Sequence, residues 1–255
     1  MTTRLRLLLI IPGAAFLIAV VAFEFGLRKG RETSPAADRG SESPARVTDE
    51  RLVELLLAQD LGERRFAFAE VVSASSGHRI LPADRGDPAM GTILDAIDEA
   101  ASRSLVLLNA GDSPVRSLRR INEASRYFED ALRTFIDAHP DLACSVPTTT
   151  DGTTQRSGYP DLRIEHVPSG RVAYLDPKLF EETSRSSSLR TFYYEPKARS
   201  SKIREDASHL LLGISHDGKD GAWTFTGTEL IDLSRLQVRL KAEFQASNRE
   251  LYPPE

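Results

Sequence analysis

The sequence has 255 residues, of which 27% are charged and 40% hydrophobic, and its formal net charge is −4. This balance excludes a protein that binds nucleic acid through positive charge over its whole surface, so any such contact must come from a local patch. The single cysteine, Cys144, excludes an intramolecular disulfide and a cysteine-based zinc site.

The chain begins with an apolar segment. Residues 7–23 are seventeen residues without a charge, and basic residues flank them on both sides. This length is at the lower limit of what spans a hydrocarbon core of about 30 Å. We expect residues 1–29 to form a single-pass N-terminal membrane anchor that contacts the membrane through residues 7–27. A cleaved signal peptide and a buried core helix are the alternatives, and the balanced basic flanks leave the orientation open.

Residues 30–46 contain Ser, Pro, Gly, Ala and charged residues but no large apolar side chain. Such a composition cannot bury enough apolar surface to become ordered, which predicts a disordered linker. The remaining residues, 47–255, are predicted to form one domain.

The first part of this domain is predicted to be helical. Apolar residues recur at helical spacing in residues 49–62, 88–111 and 117–138. Thr48 is placed as the N-cap of the first helix, and the second helix follows Asp87 and Pro88.

After Pro140 the sequence changes to short runs rich in β-branched and aromatic residues, which is typical of strands. The predicted strands are residues 143–148, 159–167, 171–175, 191–194, 210–215 and 222–230. Turn sequences at residues 167–170 and 217–221 predict two hairpins. A closing helix over residues 234–247, with Ser234 as its N-cap, would complete a mixed α/β or α+β domain.

Three residues with complementary chemistry lie at the first hairpin. Asp161 begins one predicted strand, and Asp176 with Lys178 ends its partner. Antiparallel pairing brings these two ends together, and residues two apart on a strand emerge on the same face. Two carboxylates that can hold a hard cation, beside an ammonium group, are the combination that phosphodiester hydrolysis requires.

These residues resemble the motif of the PD-(D/E)xK, or restriction-endonuclease-like, nuclease superfamily. Pro160-Asp161 is followed fifteen residues later by Asp176-Pro177-Lys178, each at a predicted strand. The resemblance implies a mixed sheet flanked by helices, here with extra N-terminal helices. It also implies hydrolysis of nucleic acid with Mg²⁺ or Mn²⁺ as cofactor. DNA is the preferred expectation for the substrate, and RNA is the alternative. Lys178 would orient water or stabilise charge, and Asp161 and Asp176 would bind the metal.

The superfamily often has a further acidic metal ligand on the helix before the hairpin. Glu129 and Glu123 both lie on the predicted third helix. Glu129 is preferred as the third metal ligand and catalytic residue, because it lies beside the apolar stripe of that helix. Glu123 lies near the helix start, where an acidic residue is explained by the helix dipole.

Two features complicate this interpretation. Pro177 lacks an N–H group and therefore requires a strand end or a sheet edge at its position. Glu195-Pro196-Lys197 has a similar sequence form, but its greater separation from Asp161 makes it the second choice.

Residues 184–204 form a local basic stretch interleaved with aromatic residues. Basic side chains can contact phosphates, and Phe192, Tyr193 and Tyr194 could stack on unpaired bases. The predicted nucleic-acid contacts are Arg190, Lys197, Arg199 and Lys202. A solvated loop is the alternative.

The sequence thus predicts a membrane-tethered, metal-dependent nuclease. A membrane-anchored binding module without catalytic activity and an envelope protein without a nucleic-acid role are the alternatives.

A topology reporter fused to the C-terminus tests the predicted anchor. With an uncleaved anchor, the full-length fusion should remain in the membrane fraction, because residues 7–23 supply the apolar span. Recovery of the fusion in the soluble fraction would contradict the anchor. A reporter signal from outside the cytoplasmic membrane would favour the envelope protein over the nuclease.

Overall fold

The computed structural model describes residues 48–189, 192–197 and 200–252. The predicted anchor at residues 1–29 and linker at residues 30–46 lie outside these ranges and stay predictions. Within the described ranges, every helix is too short or too polar to cross a bilayer.

Helices and strands are mixed along the described chain, which confirms the predicted α+β class. The helices are α1 (Asp49–Ala58), α2 (Phe68–Ser76), α3 (Pro88–Asn109), α4 (Ser125–Asp137) and α5 (Asn248–Leu251). The strands are β1 (Arg65–Ala67), β2 (Ile80–Leu81), β3 (Leu142–Ser145), β4 (Leu162–His166), β5 (Arg171–Glu181), β6 (Ala207–His216), β7 (Phe225–Asp232) and β8 (Gln237–Arg239).

Six strands form one mixed sheet in the order β2-β6-β5-β4-β3, with β7 also paired to β6. β5 and β2 run parallel to β6, whereas the β3–β4, β4–β5 and β6–β7 pairs are antiparallel. β5 is therefore held by hydrogen bonds on both of its edges. β1 and β8 form a separate two-stranded sheet.

The two faces of the main sheet bury different helices. On one face, α3 and α4 share a hydrophobic core with Ala173 and Leu175 of β5. On the other face, α2 packs in a second core with Val172 and Tyr174. Because successive strand residues alternate between faces, Asp176 and Lys178 follow Tyr174 on the α2 side of the sheet.

Both predicted hairpins are confirmed. In the first, Leu162 pairs with Leu175 and His166 with Arg171. Gly170 at its turn has a φ of 69°, which glycine adopts without strain. In the second hairpin, β6 and β7 pair around a turn in which Asp217 Oδ1 accepts from the N–H of Thr224.

The first two predicted helices are confirmed, with Thr48 and Asp87 as their N-caps. The third is shorter than predicted, because α4 begins at Ser125. Leu118 has extended backbone angles, and its carbonyl accepts a hydrogen bond from Trp223 Nε1. Residues 114–124 therefore form two 3₁₀ turns joined by an extended link, and the carbonyl of Leu118 serves a tertiary contact.

Two other predicted elements are wrong. The closing helix over residues 234–247 is replaced by a 3₁₀ turn and by β8, which pairs with β1. Leu240 and Phe244, two apolar residues at helical spacing in this segment, are 46% and 86% exposed. The strand at residues 191–194 does not form over its described part, where Phe192 and Tyr194 pack edge-on against Phe68 of α2 instead. α2, β1 and β2 were not predicted.

Candidate active site

The first hairpin places the three predicted residues at one point. Asp161 immediately precedes β4, and Asp176 follows Leu175, the β5 partner of Leu162. Lys178 Nζ lies 2.5 Å from Asp176 Oδ2 and 3.5 Å from Asp161 Oδ2. The structure therefore brings Asp161, Asp176 and Lys178 together, as the sequence predicts. Their chemical role stays a prediction.

This cluster is buried unevenly. The side chain of Asp176 is 2% exposed, whereas those of Asp161 and Lys178 are 12% and 31% exposed. Asp176 thus forms the floor of the site, and Lys178 lies at its solvent-facing side.

Burial and like charge act together on the two carboxylates. Burial, followed by the charge of Asp161, raises the pKa of Asp176 to about 7 against the opposing effect of Lys178. For Lys178, burial lowers the pKa, but Asp176 and Asp161 outweigh burial and raise it overall. Lys178 is therefore a charged ammonium group at neutral pH, and it does not fully compensate the carboxylates.

Glu129 is the better placed of the two candidate helix carboxylates. It lies half-buried on α4, and burial followed by the charge of Asp161 raises its pKa, with Arg156 and Lys178 among the opposing charges. Glu123 is exposed in the 3₁₀ turn before α4. The electrostatic proximity to Asp161 favours Glu129 over Glu123.

The donor atoms have the chemistry that a hard divalent cation prefers. Asp176 Oδ2 is buried and has no aligned hydrogen-bond donor, although Lys178 Nζ is in ionic contact with it. Among the described residues, however, no three His, Cys, Asp or Glu side chains stand close enough together to hold a metal ion. The residues fit Mg²⁺ or Mn²⁺ in chemistry, and the full ligand set with Glu129 stays a prediction.

The predicted nucleic-acid contacts have different environments. Arg190 and Arg199 lie outside the described residues, so their role stays a prediction. Lys197 is partly exposed and pairs with Glu195 at 2.8 Å. The environment of Lys202 differs from that of a nucleic-acid contact. Lys202 is 4% exposed and donates hydrogen bonds to three backbone carbonyls, so its ammonium group does not face solvent.

The aromatic residues of the basic stretch also differ from the prediction. Phe192 and Tyr194 belong to the core around Phe68, and Tyr194 hydrogen-bonds Ser75. Glu195-Pro196-Lys197, the second-choice motif, is exposed and outside any strand. These residues therefore do not form a second strand-borne acidic site.

Sequence reasoning missed one pair beside the site. The Tyr159 hydroxyl lies 2.7 Å from Nδ1 of His209, a residue of β6. Burial lowers the pKa of His209 to about 3, so this histidine is neutral. Burial, followed by the charge of Asp176, raises the pKa of Tyr159, which keeps its hydroxyl protonated. The position of Tyr159 two residues before Asp161 was the available signal.

Two comparisons connect the chain to known proteins. The profile of the "Type II restriction enzyme MjaV family" matches residues 61–255. A curated protein of Methanocaldococcus jannaschii, described as "Type II restriction enzyme MjaV", is 30% identical over 215 residues. That alignment covers 78% of this chain and 91% of the relative.

Replacement of Asp176 by asparagine tests the cost of its buried charge. Because the pKa is raised to about 7, the folded protein favours the protonated carboxyl, and this contribution to stability is lost as the pH rises from about 4 to 7. Asparagine removes the charge with little change in shape. At pH 8 with chelator, we expect Asp176→Asn to raise the free energy of unfolding, because it removes a buried charge. The expected gain is only about 1–2 kcal/mol, because Lys178 loses a stabilising partner. Guanidinium denaturation of both proteins measures this difference in the free energy of unfolding.

The gain should disappear below about pH 4, where the wild-type carboxyl is protonated in both states. A variant less stable than wild type at pH 8, or a gain that does not change with pH, would contradict the assigned electrostatic cost.

Proposed function

Because the chain belongs to the type II restriction enzyme MjaV family, we propose that it is a nuclease that hydrolyses phosphodiester bonds in DNA. The proposal places the chain in the PD-(D/E)xK superfamily, with Asp161, Asp176 and Lys178 as its active-site residues. The observation that carries it is the ionic contact of Lys178 with both carboxylates at the first hairpin.

In the proposed mechanism, Asp161, Asp176 and Glu129 would hold Mg²⁺ or Mn²⁺ through their carboxylate oxygens. When bound, the cation would supply Lewis-acid chemistry, by activating water and neutralising phosphate charge. The buried floor at Asp176 excludes bulk water, which strengthens the electrostatic interactions within the site.

Lys178 acts as a donor in this mechanism and not as a general base. Its pKa is raised by the two aspartates despite burial, so it keeps its proton at neutral pH. Its partly exposed ammonium group can donate to a phosphate oxygen that gains negative charge during hydrolysis. The two carboxylates hold this ammonium group beside the proposed metal ligands.

Membrane tethering is a separate proposal that rests on residues 7–23 alone. Those residues precede the region that the family profile matches. The C-terminal topology reporter tests this proposal independently of the nuclease activity.

Cleavage of DNA by the full-length protein tests the proposed activity. We expect Mg²⁺ to produce discrete fragments from double-stranded DNA and a chelator to stop the reaction, because the carboxylates need a cation to bind phosphate. Asp176→Ala should lower the single-turnover rate constant by at least about a hundredfold. Gel analysis of the fragments over time gives both results.

Asp95→Ala is the matched control, since Asp95 is an exposed aspartate that pairs with Arg85 on the surface. It should cleave at the wild-type rate. Wild-type cleavage by Asp176→Ala protein would refute this site, and the absence of cleavage by the wild type would refute the function.

A comparison of Glu129→Gln with Glu123→Gln tests the third carboxylate. Both changes remove one negative charge from neighbouring parts of the same segment. Glu129→Gln should reduce the cleavage rate at least about tenfold and raise the Mg²⁺ concentration needed for half the maximal rate, because it removes a proposed ligand. Glu123→Gln should have the smaller effect. A larger loss of cleavage rate in Glu123→Gln protein would identify Glu123, and not Glu129, as the third carboxylate.

A further inference from the structure

Lys202 is a buried lysine outside the motif. Its ammonium group has three N–H donors, and three backbone carbonyls lie around it. The carbonyl oxygens of Arg156, Gly158 and Pro160 are 3.3, 2.6 and 3.0 Å from Nζ. The donors of Lys202 are thus engaged with one short segment that ends directly before Asp161.

This segment lacks the backbone hydrogen bonds of regular structure. Residues 155–161 lie outside helices and strands, between the bridge at Thr154 and the first residue of β4. Three carbonyl dipoles directed at one point repel each other, so this arrangement needs a positively charged donor among them. The ammonium group of Lys202 offsets the repulsion and holds the segment around itself.

The backbone on both sides of Lys202 is held in place. The carbonyl of Ser201 accepts from the N–H of Thr150, and the buried Ile203 N–H donates to Ser201 Oγ. The N–H of Arg204 donates to the hydroxyl of Tyr174, which lies on β5 two residues before Asp176. A continuous set of contacts therefore connects the strand that carries Asp176 to the segment that carries Asp161.

Lys202 also contributes charge to the site. Burial lowers its pKa, whereas the charges of Asp161, Asp176 and Glu129 oppose that change. Lys202 uses all three donors on backbone carbonyls and, unlike Lys178, it is buried, so it does not reach a substrate directly.

We propose that Lys202 is a positioning residue, whose ammonium group holds residues 156–160 in the shape that places Asp161 beside Asp176. Its effect on catalysis rests on the proposed nuclease function. Its effect on the shape of the segment is independent of that function.

Lys202→Met in the full-length protein tests the proposal, with Lys219→Met as the matched control. Lys219 is an exposed lysine that pairs with Asp217 in the turn of the second hairpin. Limited trypsin digestion followed by mass spectrometry should show at least about tenfold faster cleavage after the exposed Arg156 in Lys202→Met, since the segment loses its restraint. Lys219→Met should be cleaved after Arg156 at the wild-type rate.

The cleavage reaction supplies a second measurement. The single-turnover rate constant of Lys202→Met should fall about 10- to 100-fold, as for other residues that orient a metal ligand. DNA affinity measured with Ca²⁺ should change less than about threefold, because Lys202 does not reach the substrate. Lys202→Arg, which restores charge and donors, should recover part of the rate. If Lys202→Met does not fold, Lys202→Gln provides the same comparison with two donors and no charge.

Four outcomes would overturn the proposal: unchanged trypsin cleavage after Arg156, faster trypsin cleavage throughout the domain, loss of DNA affinity equal to the loss of rate, or a wild-type rate of DNA cleavage. If the wild type cleaves no DNA, the nuclease function fails, while the trypsin digestion still decides whether Lys202 positions the segment.

Discussion

The ionic contact between Asp176 and Lys178 on β5 is the interaction on which the rest of the site depends. A carboxylate that is almost completely buried costs several kcal/mol unless it is paired, and the pair must be held in good geometry to offset that cost. β5 provides this geometry, because β4 and β6 bind both of its edges and Val172 to Leu175 are buried on both faces. The antiparallel register then brings the start of β4, which Asp161 directly precedes, beside Asp176.

Neighbouring charges on the same side of the sheet are neutralised by one another. Arg163 donates to both carboxylate oxygens of Glu205 at 2.7 and 3.0 Å, and it also binds Glu165. Tyr174 donates its hydroxyl to Glu205 at 3.0 Å. Such a network stabilises the sheet and lowers the pKa of Glu205, chiefly through Arg163. The uncompensated carboxylate charge is therefore concentrated at Asp161 and Asp176, which is where the proposed chemistry needs it.

The sequence was informative where local rules coincide with tertiary structure. The hairpin at residues 167–170 follows from turn residues between two apolar strands, so the meeting of Asp161 with Asp176 and Lys178 could be predicted. α3 was predictable for the same reason, since its cap and its apolar stripe agree. The closing helix was not, because Leu236 and Val238 pack in the core beside α2 and β8 pairs with β1. Helical spacing over residues 234–247 carries no information about a distant strand partner.

The basic stretch shows that composition alone does not reveal where a charged side chain lies in the fold. Composition identified Lys202 as one of several exposed cations, but its three acceptors are contributed by residues more than forty positions earlier. Two ammonium groups, those of Lys178 and Lys202, therefore act on Asp161, Asp176 and Glu129. The pKa of Asp176 nevertheless remains raised, chiefly by burial and by Asp161. The positive charges of Lys178 and Lys202 therefore do not fully compensate the buried carboxylate of Asp176. In the proposed mechanism, a bound divalent cation would supply the missing positive charge, so the same burial that costs stability in the free protein would favour cation binding.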